Sequence, residues 1–138
     1  MVKLEASLQK QINDLIQSCG VEYQKGNNIE AIKILEKAWE LLPNPKVVFD
    51  DSYHIAKYII QFCLLAKDYV KAKRWSNIIF ICDLERADSG EREFLAGKVA
   101  FDSDDLDIAK EFFFIANKKS EGRCFVDEDT KYLKFFKK

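Results

Sequence analysis

Four cysteines and one histidine are the side chains of this 138-residue chain best suited to nucleophilic or metal chemistry. Cys19, Cys63, Cys82 and Cys124 are separated by 44, 19 and 42 residues. A zinc site needs ligands in close couples, so that two thiolates reach one tetrahedral ion, and no such couple exists here. Three of the cysteines stand in apolar helical settings (LIQSCGV, QFCLLA, IIFICDL). They read as small buried hydrophobes in a reducing compartment. His54 follows Asp50 and Asp51 by four and three residues. Cys63 is nine residues further on, roughly 13 Å along a helix. A nucleophile and its base must sit within hydrogen-bond reach, so this pair fails within one helix. His54 reads as a surface or groove-lining residue. Five glycines leave no phosphate-cradling loop. The chain is expected to be no enzyme, with no cofactor, no metal and no small-molecule substrate.

Charge and aromatic content point instead to binding. The formal net charge is −1, which argues against direct nucleic-acid binding. That balance hides an asymmetry. Residues 83–107 carry nine acids (Asp83, Glu85, Asp88, Glu91, Glu93, Asp102, Asp104, Asp105, Asp107) against Arg86, Arg92 and Lys98. This segment is either an acidic face for a basic partner or a set of solvated loops, with Asp104 and Asp105 capping a helix. The run DSDDLD lacks the central glycine of a calcium loop and has Phe113 where the bidentate glutamate belongs. Eight of the 11 phenylalanines lie at or after residue 94. Phe112, Phe113 and Phe114 span about 200° of a helix, so they cannot all face one core.

These residues must be positioned by helices, and the helices repeat. GNNIEAIKILEKAWELLPNP, KDYVKAKRWSNII and DDLDIAKEFFFIAN each run from a polar turn through an anchor alanine into an amphipathic helix. The anchors are Ala31, Ala72 and Ala109, spaced 41 and 37 residues apart. Small residues at such positions let antiparallel helices approach closely. Hydrophobic spacing and turn punctuation predict helices over 3–25, 28–41, 47–66, 69–83, 89–102 and 105–118. Pro43 and Pro45 end the second, and Ser89 is a candidate N-cap for the fifth. Residues 119–126 read as loop and 128–136 as a last short helix. Its Tyr132, Leu133, Phe135 and Phe136 would cap the open apolar face of the last repeat. The run WSNIIFICDL is rich in strand-forming residues but has no partner strand, and it reads as helix. No apolar stretch exceeds about five residues, too few for a membrane span. The N-terminus lacks the apolar core of a signal peptide. A single all-α domain over 1–138, cytoplasmic and without membrane contact, is expected.

The repeat resembles the tetratricopeptide repeat, a helix–turn–helix unit of about 34 residues. In the first copy Gly26 stands at the turn, Ala31 and Ala38 at the small second-helix positions, and Pro43 at the terminator. The third has Ala96 and Gly97, then Ala109 and Ala116. The second keeps Asp68, Tyr69 and Ala72, with Ile60 in place of a small residue. The succession of QKQINDLI, these repeats and the tail EGRCFVDEDTKYLKFF covers nearly the whole chain. It resembles a family of tetratricopeptide-repeat-like immunity proteins encoded beside bacterial polymorphic toxins, including those of contact-dependent growth inhibition. Ile60 and Cys63 depart from that family, where a small residue and an aromatic are more usual.

The resemblance implies a short α-solenoid of three helix pairs plus a C-terminal cap. It implies a protein–protein interaction module, an antitoxin that binds one cognate toxin domain, often a nuclease, and blocks it. The alternative is a generic repeat scaffold or chaperone that holds a peptide segment of another protein. In either case the first helix of each pair lines the binding face. By register the first pair presents Asn13, Gln17, Tyr23 and Gln24. The second presents His54, Lys57, Tyr58 and Gln61, and the third Glu91, Phe94, Lys98 and Phe101. Tyr23, Tyr58 and Phe101 are the expected anchors, because aromatics give large contact area for little side-chain entropy.

Overall fold

The computed structural model describes residues 2–86 and 89–138 and is all-α. The helices are α1 (Ala6–Gln24), α2 (Asn28–Leu41), α3 (Asp50–Leu65), α4 (Tyr69–Ile79), α5 (Glu91–Asp102), α6 (Leu106–Ser120) and α7 (Thr130–Phe136). Short 3-10 helices occupy Lys46–Val48, Leu84–Arg86 and Arg123–Phe125. The chain groups into two compact units, Met1–Leu84 and Glu85–Lys138. In the first, α1 packs on α2, α2 on α3, and α3 on α4. In the second, α5 packs on α6, with the last 3-10 helix and α7 against α6.

Three helical hairpins result, and one turn geometry builds all of them. Gly26, Lys67 and Asp104 take left-handed φ values of 79°, 59° and 65°. The amide of each donates to a carbonyl three residues back: Gly26 to Tyr23 at 2.9 Å, Lys67 to Leu64 at 3.2 Å, Asp104 to Phe101 at 3.0 Å. The next amide reaches five back: Asn27 to Glu22 at 2.9 Å, Asp68 to Cys63 at 2.9 Å, Asp105 to Ala100 at 2.8 Å. This pair of bonds satisfies carbonyls that a helix end leaves orphaned. The same Asn27, Asp68 and Asp105 then open the following helix. Their carbonyls accept from Ala31, Ala72 and Ala109, each at 3.0 Å. All three alanines are fully buried. The anchor-alanine pattern of the sequence is thus one repeated turn that delivers a small residue to the hairpin contact.

Only the first of these turns has glycine at the left-handed position. An L-residue there costs roughly 1–2 kcal/mol, less for aspartate, whose short side chain tolerates it. Lys67→Gly is therefore expected to stabilise the chain by about 1 kcal/mol net of the added unfolded-state entropy. Asp104→Gly should give less. Urea midpoints of the two variants check this.

The helix ends differ from the sequence expectation in places. α4 stops at Ile79, not 83: the chain turns there and buries Cys82. The Asp83 amide then donates to Val47 O at 3.0 Å. α6 continues to Ser120, and residues 123–125 are 3-10 rather than loop. The Cys124 amide donates to Ser120 Oγ at 3.0 Å, which holds that extension. Gly90, not Ser89, is the N-cap position of α5, although Ser89 Oγ accepts the Glu91 amide at 3.2 Å. Asp105 occupies the N-cap position of α6 without a side-chain capping bond. Asp88, the start of the expected break, lies outside the described residues.

The second unit has an aromatic core. Phe113 is fully buried, and its ring centroid lies 5.4 Å from Phe94, 5.7 Å from Phe125 and 5.9 Å from Tyr132. Gly97 makes this possible, since a Cβ there would sit 2.6 Å from the Phe113 ring. α7 closes the cluster, as its Tyr132 and Phe135 pack on Phe101 at 5.4 and 5.0 Å. The three neighbouring phenylalanines separate as helix geometry requires: Phe113 is buried, Phe112 partly buried and Phe114 59% exposed.

Candidate protein-binding surface

The first two sets of predicted partner-binding residues fall on α1 and α3 of the first unit. These helices are tied at two points. Gln9 Nε2 donates to Asp51 Oδ2 at 2.9 Å, and Tyr23 packs on Phe62 at 5.4 Å. The order of the ties is the same on both helices, so α1 and α3 run side by side in one direction. Gln9 also donates to Asn13 Oδ1 at 3.0 Å.

Along α1, Asn13, Gln17, Gly20 and Gln24 recur at i, i+4, i+7 and i+11 and form one exposed stripe. Tyr23 borders it, 46% exposed. On α3, His54, Lys57, Tyr58 and Gln61 are all partly exposed. His54 packs edge-on to Tyr53 at 5.9 Å. The stripe contains a residue that sequence reasoning missed. Gly20 sits inside a helix, where glycine costs about 1 kcal/mol relative to alanine, yet a Cβ there would meet nothing within 4 Å. No internal packing demands this glycine. The signal was a lone glycine within a helical pattern.

The third set does not form an open surface. Phe94 and Lys98 are buried. Phe94 stands in the aromatic core, and Lys98 Nζ lies 5.2 Å from its ring centroid and 3.0 Å from Glu128 Oε1. Phe101, an expected anchor, is partly buried under Tyr132 and Phe135. Glu91 is partly exposed at the start of α5. The physical reason is the aromatic cap, which lies over the α5 side chains that repeat register would turn outward.

The acidic segment divides as well. Glu93 is buried and pairs with Lys119 at 2.9 Å. Asp102 pairs with Lys131 at 3.6 Å and accepts from the Tyr132 hydroxyl at 3.3 Å. Burial raises the Tyr132 phenol pKa, and the Asp102 charge and hydrogen bond push it further the same way. Glu85, Asp104, Asp105 and Asp107 remain exposed.

All four cysteines are reduced thiols, three buried and Cys124 partly so. Burial lifts Cys19 from the ordinary 9.0 to about 11. Burial, with Asp68 adding to it, lifts Cys63 to about 12. Burial also raises Cys124. Thiolate is the reactive form, so these are poor nucleophiles. At pH 8 a thiol-specific disulfide reagent is expected to leave Cys19 and Cys63 unmodified until the chain unfolds. The sign of the pH dependence follows. Above pH 9 the unfolded thiols release protons that the folded ones keep, so their contribution to stability falls as pH rises toward 11–12. Denaturant midpoints across that window check it.

Among the described residues, no cluster of three His, Cys, Asp or Glu side chains could hold a metal ion. No described helix is long and apolar enough to cross a membrane. No protein-family model matches the chain, and no curated protein matches it.

Proposed function

We propose that the chain is a non-catalytic protein-binding module of tetratricopeptide-repeat-like hairpins. Its closest functional reading is an immunity protein that binds and blocks a cognate bacterial toxin domain in the cytoplasm. The observation that carries the binding reading is the α1–α3 face. It gathers exposed amides at Asn13, Gln17 and Gln24, aromatic surface at Tyr23 and Tyr58, and an open gap over Gly20. Amides donate and accept, aromatics supply area, and both suit a folded polypeptide partner. The repeated turns and the buried anchor alanines support the repeat assignment. Blocking would be steric, with the partner seated over the toxin's own active site. The exposed Asp104, Asp105 and Asp107 would favour a basic toxin, such as a nuclease.

The test is co-expression with the toxin encoded beside this gene. The chain should protect cells, and Gly20→Trp should abolish protection while leaving the helical spectrum unchanged, because the site has room for bulk. Failure of the native chain to protect ends the immunity reading. Protection that survives Gly20→Trp, Tyr23→Ala and Tyr58→Ala moves the interface off α1 and α3. Capture of a linear peptide in place of a folded domain favours a scaffold or chaperone.

A further inference from the structure

We propose that the outer face of α6 pairs antiparallel with the same face of a second copy of this chain. Glu111, Phe114, Ile115 and Lys118 recur at i, i+3, i+4 and i+7 and therefore share one face. The opposite face carries the buried Ala109, Phe113 and Ala116. Phe114 is 59% and Ile115 40% exposed. Nothing in the unit requires a phenylalanine in that setting.

The flanking charges identify the occupant. Glu111 and Lys118 are exposed and lie seven residues apart, about 10 Å along the axis. That is too far for them to pair with each other. Among the described residues neither enters an ion pair. A two-fold axis midway between Phe114 and Ile115 resolves both facts. It sets Glu111 of each copy opposite Lys118 of the other, and Phe114 of each against Ile115 of the other. Parallel pairing in register would instead oppose Glu111 to Glu111. An apolar centre flanked by opposite charges at equal distances is self-complementary, the property an isologous interface requires. The helix dipoles also oppose favourably in this orientation. Two turns of one helix bury well below the roughly 1,600 Å² of a standard interface. The dimer is therefore weak, and it forms at the upper end of micromolar chain concentration.

Sedimentation equilibrium of the full chain at low salt, from micromolar to near-millimolar, tests this. The mass should rise toward twice the monomer with concentration. Phe114→Glu should hold the chain at the monomer mass. Glu111→Lys should weaken association about tenfold, since each dimer then holds two like-charge contacts. Combining it with Lys118→Glu should restore the native constant. A constant monomer mass overturns the proposal. So does a dimer that survives Phe114→Glu, or a charge-swapped double variant no tighter than the single one. Ile115→Lys is a second disrupting variant on the same exposed face, and it decides the matter if Phe114→Glu misfolds.

Discussion

Phe113→Ala is expected to cost about 3–5 kcal/mol, the range for removing a fully buried aromatic. Whole-domain stabilities are typically about 5–15 kcal/mol, so this one change removes much of what holds the second unit together. The ring touches Phe94, Phe125 and Tyr132 and is 6.3 Å from Phe135. Four aromatics, from α5, the 3-10 turn and α7, thus lose a common neighbour. Gly97 adds to the effect, because the backbone of α5 lies directly under the ring and offers no side chain to fill the hole. Guanidinium denaturation measures the loss, and amide exchange in α5, α6 and α7 should show it. Gly97→Ala should fail for the opposite reason, with its Cβ 2.6 Å from the ring. Phe113→Leu in the same chain should recover part of that loss, which makes the pair non-additive.

The second large effect is expected at Gly90. It is the N-cap residue of α5, with φ of 80°. A Cβ there would lie 2.9 Å from the Ala116 carbonyl oxygen and 3.1 Å from Lys119 Cβ. Gly90→Ala therefore combines left-handed strain with a clash against the backbone of α6, about 2–4 kcal/mol together. It also presses on Lys119, whose amine holds the buried Glu93 carboxylate at 2.9 Å. Gly26→Ala is the internal control. Its φ is 79° and a Cβ would meet nothing within 4 Å, so only the strain remains, about 1 kcal/mol. The gap between the two melting temperatures isolates the contact. If Gly90→Ala costs no more than Gly26→Ala, the close seating of α5 on α6 is wrong.

The helices and their hairpin pairing were legible in the sequence because both depend on local signals: apolar spacing, prolines after α2, and alanines five residues past each turn. The turn geometry was legible only at Gly26. Lys67 and Asp104 adopt the same backbone without the residue that advertises it, since the hydrogen bonds of the turn outweigh the strain. On the candidate surface, α1 and α3 residues could be placed from period alone, and all of them stay at least partly exposed. Phe94, Lys98 and Phe101 could not. Their burial depends on Tyr132, Phe135 and Glu128, which join α5 only after the chain has passed through α6. The pairing of two of the acids was hidden for the same reason. Glu93 and Asp102 find their cations 26 and 29 residues later, at Lys119 and Lys131.

The sequestered sulfurs and the open gap over Gly20 together give the chain a reporter chemistry. With Cys124→Ser removing the more accessible of the native thiols, a cysteine placed at Gly20 becomes the fast-labelling position on a chemically quiet background. The cysteine itself adds one small side chain to the α1 stripe, and its Cβ meets nothing within 4 Å. Its rate of labelling by a small thiol reagent would read out occupancy of that face, slow where a partner covers it, with no need for the partner's identity to be known in advance.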